Sequence, residues 1–332
     1  MTGAERVDAP MHASNLPAEH CPLCGSAGAR LLFQSTDRLY RTTEKLFRIV
    51  ECGQCGLLRL SPQPTKAELA AYYPATYWFD PGQSAAGRFE ETYRRTVLRD
   101  HVGFVAKALR NAAGQGPVLD VGCGGGLFLG MLRERGFRVL GLDLSTEAAA
   151  LAARRHRIPA IAGDLTAAPI APESCAAITM FHVLEHVRQP KEYLGEARRL
   201  LRPGGRLIVQ VPNAACWQFA LLGRRWNGVD APRHMFLFRD RDLQKLLEAA
   251  GFEIERKKYF SLRDNPAGLA TSLTPWLDPM ARRIRHPDEP AGARLLKDAV
   301  YFALVVAALP FTLAEAAFRA GSSIMIAARK RA

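Results

Sequence analysis

The sequence predicts an α/β fold, a doubly wound and mostly parallel sheet preceded by a small metal-stapled module. Three observations carry this. From Pro117 onward, apolar runs of strand length alternate with helical stretches. The first of these runs ends in a glycine turn, "PVLDVGCGGG". Four of the seven cysteines form two C-x2-C pairs, Cys21/Cys24 and Cys52/Cys55, with 27 residues between the pairs.

The 332 residues are 48% hydrophobic and 23% charged, an ordinary globular composition for one large domain and a small one. Lys and Arg number 45 against 32 Asp and Glu, a net charge of +13. Such an excess suits RNA, a phosphorylated or nucleotide-linked substrate, or an anionic membrane surface; equally it reflects general basicity of an Arg-rich chain. The opening "MTGAERVDAPMHASNLPAEH" has no apolar h-region, so residues 1–18 are expected to be a disordered leader. A cytoplasmic setting follows as an expectation, with cysteines present as thiols or metal ligands.

Residues 19–62 read as a zinc ribbon. Each C-x2-C pair is followed by a glycine that lets backbone amides turn toward the thiolates, and four thiolates suit a closed, structural Zn2+ site. "LLFQS" and "LFRIVE" form a hairpin too small to hold itself without a metal. A redox dithiol is the competing reading, but redox motifs seldom come doubled. Residues 63–112 follow as a helical, aromatic connector with Tyr72, Tyr73, Tyr77, Trp78 and Phe79. The cluster either packs the modules together or covers a ligand; in the second case Tyr77 and Trp78 would touch substrate.

The core is placed at 113–260. "PVLDVGCGGG" is the first strand and turn, "LFLGMLRERG" its helix, and "FRVLGLDLS" the second strand, followed by helix 146–156. "IPAIAGDL" and "AAITMFHV" are the third and fourth strands, and "GRLIVQVPN" the fifth, reached through a turn at "LRPGG". Ligands of such sheets sit beyond the carboxyl ends of the strands.

The glycine turn is not a dinucleotide fingerprint, because Leu127 stands where G-x-G-x-x-G needs its third glycine. The pattern is instead Asp120, Gly122, Gly124, Gly126. An acid before the glycines repels a pyrophosphate but can hold an ammonium group. Asp143 closes the second strand, where a carboxylate accepts ribose hydroxyls. Asp164 closes the third and is placed for an adenine amino group. S-adenosylmethionine (SAM) carries these three groups in that order. The expected cofactor-binding set is Asp120, Gly122, Cys123, Gly124, Gly126, Asp143, Leu144, Asp164, Leu165, Phe181 and His182.

Together, "VLDVGCGGG", "GLDLS", "AGDL", "FHVLEHV", "LRPGGRLIVQVPN" and "PRHMFLFRDRDLQKLLEAAGFEI" resemble class I SAM-dependent methyltransferases. The nearest group is the one containing the ubiquinone-pathway O-methyltransferases. The resemblance spans roughly 115–258 and implies a Rossmann-like seven-stranded sheet whose last strand, "SSIMIAARK", enters antiparallel. The ribbon with "SPQP" and "YYPATYWFD" resembles the front end of bacterial sugar C-methyltransferases.

Methyl transfer to a hydroxyl needs alignment, exclusion of water and removal of a proton. His182 and His234 are the expected catalytic bases, with Arg233 an anchor for an anionic substrate group. "FHVLEHV" also matches H-x-x-E-H, the inverzincin metal motif. That reading requires a long helix, whereas Met180 and Phe181 end a strand. The resemblance implies instead that some relatives bind a divalent ion through E-x-x-E-H here; His182 replaces the first acid, so metal binding by His182, Glu185 and His186 stays open.

Residues 261–320 are expected to be a helical insertion and 321–332 the final strand and basic tail. Pro310 is expected to break the apolar run from Ala299, leaving about 17 Å of helix against about 30 Å of hydrocarbon. A chain that returns to complete the sheet cannot cross a bilayer. The 294–320 region is then a lid, a homodimer face, or a peripheral membrane contact with Arg282, Arg283, Arg285, Arg294 and Lys297 on lipid phosphates. Three functions compete. The first is methylation of a small-molecule acceptor such as a glycan, lipid-linked or secondary-metabolite intermediate. The second is methylation of RNA, against which the fifth strand ends in "VPNAACW" without an N-P-P-Y-type loop. The third is a silent scaffold with a partner-binding ribbon, which the intact Asp120, Asp143 and Asp164 oppose.

Overall fold

The computed structural model describes residues 20–74, 85–110 and 116–331; the expected leader, Tyr77 and Trp78 lie outside the described residues. In chain order, β1 (Ala29–Ser35), β2 (Phe47–Cys52) and β3 (Leu58–Leu60) form an antiparallel meander. Helix α1 (Lys66–Ala71) starts at a capping box in which Thr65 and Glu68 satisfy each other's backbone amides. After α2 (Ala85–Ala108) comes the alternating unit: β4 (Val118–Val121), α3 (Leu127–Arg133), β5 (Val139–Asp143), α4 (Thr146–His156), β6 (Ala160–Ala162), β7 (Cys175–Phe181), α5 (Pro190–Leu200) and β8 (Leu201–Pro212). Then follow α6 (Trp217–Leu222), β9 (Phe236–Leu237), α7 (Asp240–Ala249), β10 (Phe252–Lys258), α8 (Asn265–Leu273), α9 (Pro279–Arg285), α10 (Ala291–Ala317) and β11 (Ser323–Lys330).

The large sheet has seven strands in the order β10-β11-β8-β7-β4-β5-β6. Five strands pair in parallel, and β11 inserts antiparallel between β8 and β10, as the sequence predicts. Helices cover both faces, so the middle strands are mostly apolar: Leu119, Ile178, Met180, Ile208 and Val209 are fully buried. The expected turn at "LRPGG" is corrected. Strand β8 already pairs at Leu201 with Cys175, and Pro203-Gly204-Gly205 forms a bulge before Arg206 meets Ala177. Gly204 supplies the left-handed backbone (φ +69°) that the bulge requires.

The cysteine module does not stand apart from this sheet. Its own sheet has the order β1-β2-β3-β9, and β9 comes from the core. Leu58 pairs with Leu237, Arg59 with Phe236, and the Leu60 amide donates to the Met235 carbonyl at 2.9 Å. The pairing covers what would otherwise be an open strand edge. Cys21, Cys52 and Leu57 share one buried cluster with Met235, Phe236 and Phe238.

The expectation at Pro310 is also corrected. Helix α10 runs 27 residues through it without interruption. Pro310 is exposed, so no neighbouring element crowds its ring while the helix forgoes one amide bond, and the Thr312 hydroxyl donates to the Ala308 and Leu309 carbonyls just beyond. By length and composition α10 could cross a membrane, and 28% of its apolar window is buried. It nevertheless leans on α8, with Tyr301 and Thr271 hydroxyls 2.9 Å apart, and leads directly into β11. The basic residues expected on lipid are engaged within the protein: Arg282 is buried between Glu289 and Asp298, Arg283 pairs with Glu90, and Lys297 with Glu289. Arg285 and Arg294 donate to backbone carbonyls.

Candidate active site

Three carboxylates stand at the carboxyl ends of adjacent strands. Asp120, in β4, is buried and accepts from the Thr179 hydroxyl at 2.6 Å. Burial, with Asp143 nearby, pushes its carboxyl up to about 7. Asp143 ends β5 and accepts from the Gly124 amide at 2.8 Å and the Ser145 amide at 2.9 Å. Asp164 caps the 3-10 turn after β6, accepting from Thr166 and, at 2.8 Å, from the Tyr193 hydroxyl. Burial opposes its charge, but those hydrogen bonds hold it below the usual carboxylate range. Between β4 and α3, Gly122, Gly124 and Gly126 are all left-handed, at φ +74°, +51° and +79°. A Cβ at Gly126 would strike Ala152 at 2.8 Å, whereas Gly124 faces open space. Cys123 is buried beneath the turn, Leu144 is exposed beside Asp143, and Leu165 is buried. Phe181 is half-buried and meets His101 and Phe128 edge-on.

Directly after β7 the chain turns rather than forming a helix, which removes the inverzincin geometry. His182 takes φ +56°, and its amide donates to the Gln210 carbonyl on β8. Its Nδ1 lies 3.0 Å from Glu185 and its Nε2 3.4 Å from Asp264. Burial opposes protonation, but these two carboxylates outweigh it and raise His182 to about 9. At neutral pH His182 is therefore an imidazolium held between two acids, not the state a base requires. Asp264, for its part, is held well below the carboxylate range by Arg263 and His182 despite burial.

His186 and His234 meet edge to face, ring centres 4.6 Å apart. The Tyr73 hydroxyl is 2.8 Å from His186 Nδ1, and burial with the adjacent His234 lowers His186 to about 4. His234 Nδ1 donates to the Gly228 carbonyl at 2.9 Å, which fixes the tautomer and leaves the Nε2 lone pair available. Glu185 is fully buried; one carboxylate oxygen takes His182, and the other has no hydrogen-bond partner among the described residues. His182 and His234 are thus joined through Glu185 and His186 into one cluster at the sheet edge that carries the three acids.

A family model for the methyltransferase domain matches residues 89–257, half of the chain. The chain belongs to this methyltransferase family. Among curated relatives, a probable S-adenosylmethionine-dependent methyltransferase of Mycolicibacterium smegmatis is 32% identical over 173 residues, 51% of this chain and 63% of that protein. Ubiquinone biosynthesis O-methyltransferases of Idiomarina loihiensis and Klebsiella pneumoniae are 29% and 26% identical, over 54% and 66% of this chain and 76% and 92% of theirs. The chain therefore spans just under two thirds of the mycobacterial relative and most of the two others.

In this methyltransferase the cysteines converge as their spacing predicts. Cys21 and Cys55 sulfurs lie 3.7 Å apart, Cys24 and Cys52 3.5 Å, and all four fall within 4.8 Å. Four sulfurs about 2.3 Å from a tetrahedral ion are separated by about this distance, so the set fits zinc. Gly25 and Gly56 are left-handed (φ +78° and +75°), closing each knuckle. Burial opposes ionisation of Cys52, but the Cys55 and Gln54 amides bring it down to about 6, whereas burial pushes Cys21 and Cys55 up.

Arg233 is not presented to a substrate. It is fully buried, donates to Asp37 and Asp230 at 2.7 Å each, and stacks on Tyr40, locking the ribbon to the core. Asp264, Tyr73, Asp230 and Asp37 are the site residues that sequence reasoning missed. The local signals were the aromatic run containing Tyr73 and the three-residue spacing of Asp230 from Arg233; Asp264 and Asp37 lie far along the chain from His182 and Arg233.

Proposed function

We propose that the protein transfers the methyl group of SAM to a hydroxyl of a small-molecule acceptor, with Zn2+ in the four-cysteine site serving folding alone. The observation carrying this is the His186–His234 pair beside Glu185, set on the same sheet edge as Asp120, Asp143 and Asp164. SAM supplies a methyl group already activated on a sulfonium. Asp120 faces its ammonium group, Asp143 its ribose hydroxyls, exposed Leu144 offers adenine an apolar surface, and Asp164 with the Leu165 backbone reads the adenine edge. The acceptor oxygen bonds to the methyl carbon, and the carbon–sulfur pair returns to sulfur, leaving a thioether. The hydroxyl proton leaves at the His186–His234 end, not at His182, whose nitrogens both face carboxylates. The O-methyltransferase names of two relatives support oxygen as the acceptor atom.

Calorimetry with SAM followed by transfer of labelled methyl to a small-molecule extract or to total RNA tests this reading. SAM binding with label in the small-molecule fraction, lost in His234→Ala, is expected. Absence of SAM binding removes the enzymatic reading, and label confined to RNA replaces the acceptor class.

A further inference from the structure

We infer that the outward face of α10 is a docking surface for an anionic lipid bilayer, along which the helix lies rather than crosses. Over 299–317, about 28 Å of helix, every exposed side chain is apolar. Val300, Ala303, Val306, Pro310 and Leu313 recur at spacings of three and four, which puts them on one face. Val306 and Leu313 are 63% and 52% exposed. The polar side chains of the same stretch point the other way. Tyr301, Thr312 and Glu315 are buried; the Tyr301 and Thr271 hydroxyls are 2.9 Å apart, and Glu315 accepts from the Gln218 backbone amide at 3.0 Å and its side-chain amide at 2.9 Å. A water-facing surface helix carries the opposite arrangement. These bonds also fix the rotation of α10, so it cannot roll its apolar face inward.

Three observations select a bilayer as the occupant. Protein interfaces carry about one hydrogen bond per 100–200 Å², and this face has no polar side chain to make one, whereas hydrocarbon asks for none. The chain carries +13, which draws it toward an anionic leaflet and sets two copies against each other. Exposed Leu273 and Trp276 stand at and just beyond the end of α8, and Leu277 beside Trp276 packs with Tyr301 and Val305 of α10; tryptophan favours the membrane–water boundary. Because α10 packs on α8 and leads into β11 inside the sheet, it stays with the domain and sinks only its outer face into the headgroup boundary. The arginines nearby keep their ion pairs, so the apolar face supplies the adhesion and the net charge the long-range attraction. Membrane binding does not depend on the reaction proposed above.

Co-sedimentation of the full chain with vesicles of phosphatidylglycerol and phosphatidylcholine tests the surface. Binding to these vesicles is expected to exceed binding to phosphatidylcholine alone, and to fall about 10-fold or more in a Val306→Glu, Leu313→Glu double variant. Both positions are exposed, so the variant should keep the wild-type circular dichroism and thermal melt. Apolar adhesion should also persist at about 0.5 M salt, where charge attraction alone is screened. No binding to either vesicle overturns the inference, as does binding that the folded double variant leaves unchanged. A lipid-free dimer in light scattering that the same variant splits overturns it too, and assigns the face to a second copy of the chain.

Discussion

In the function proposed above, SAM binding draws on the ionisation of Asp120. With its carboxyl pushed up to about 7 by burial and Asp143, much of the free protein is protonated there at pH 6. An incoming ammonium group favours the charged form, so SAM binding below about pH 7 should release a proton and weaken up to about tenfold per unit. Calorimetry in two buffers of different ionisation enthalpy measures that proton, and Asp120→Asn should flatten the profile; a flat wild-type profile would refute the role. His182 works in the opposite sense. Its folded value, about 9, lies above the ordinary value of about 6.5, so its contribution to stability is complete below about pH 6.5 and disappears as pH climbs through 9. Urea unfolding at pH 6.5 and 9.5 should show this loss in the wild type and not in His182→Gln. The three acids were legible in the sequence because each sits at a fixed offset from a strand or a glycine turn. The protonation of His182 was not, because Asp264 lies 82 positions further on and no local pattern links them.

At the level of elements, the strands, their order and the antiparallel β11 could be read from apolar runs and turn residues, which are local signals. The β3–β9 ladder could not, since two residues of strand carry no period and Phe236–Leu237 reads as any buried pair. The same holds for Arg233, whose partner Asp37 is 196 residues away. Removing a buried, doubly paired guanidinium leaves two carboxylates without a counter-ion. Arg233→Ala should therefore cost about 3–5 kcal/mol in chemical denaturation, and a loss under about 1 kcal/mol would contradict the lock assigned to it. Helix α10 shows the reverse failure, a local rule overridden by context. Proline costs a helix one amide hydrogen bond and sets its ring against the carbonyl four residues back, and here the rest of the helix and its packing on α8 carry that cost. Pro310→Ala should raise stability by about 1–3 kcal/mol in a thermal melt, by restoring one amide to the ladder.

For the whole molecule, the ribbon and the candidate site are one mechanical unit. The chain passes from Arg233, which grips Asp37, through His234, which faces His186, into β9, which completes the cysteine sheet. Stripping metal from the thiolates should therefore be felt at the site. Cys24→Ser should speed hydrogen exchange at residues 233–238 as well as in the ribbon, and protection unchanged there would separate the two. A further consequence concerns inheritance and engineering. A ribbon moved onto another methyltransferase without its 233–238 segment would carry β3 as a bare edge, with Leu58 and Leu60 uncovered. Such an edge recruits any passing strand, including the same segment of a neighbouring copy. Graft and host should then exchange strands or aggregate, unless the two pieces travel together.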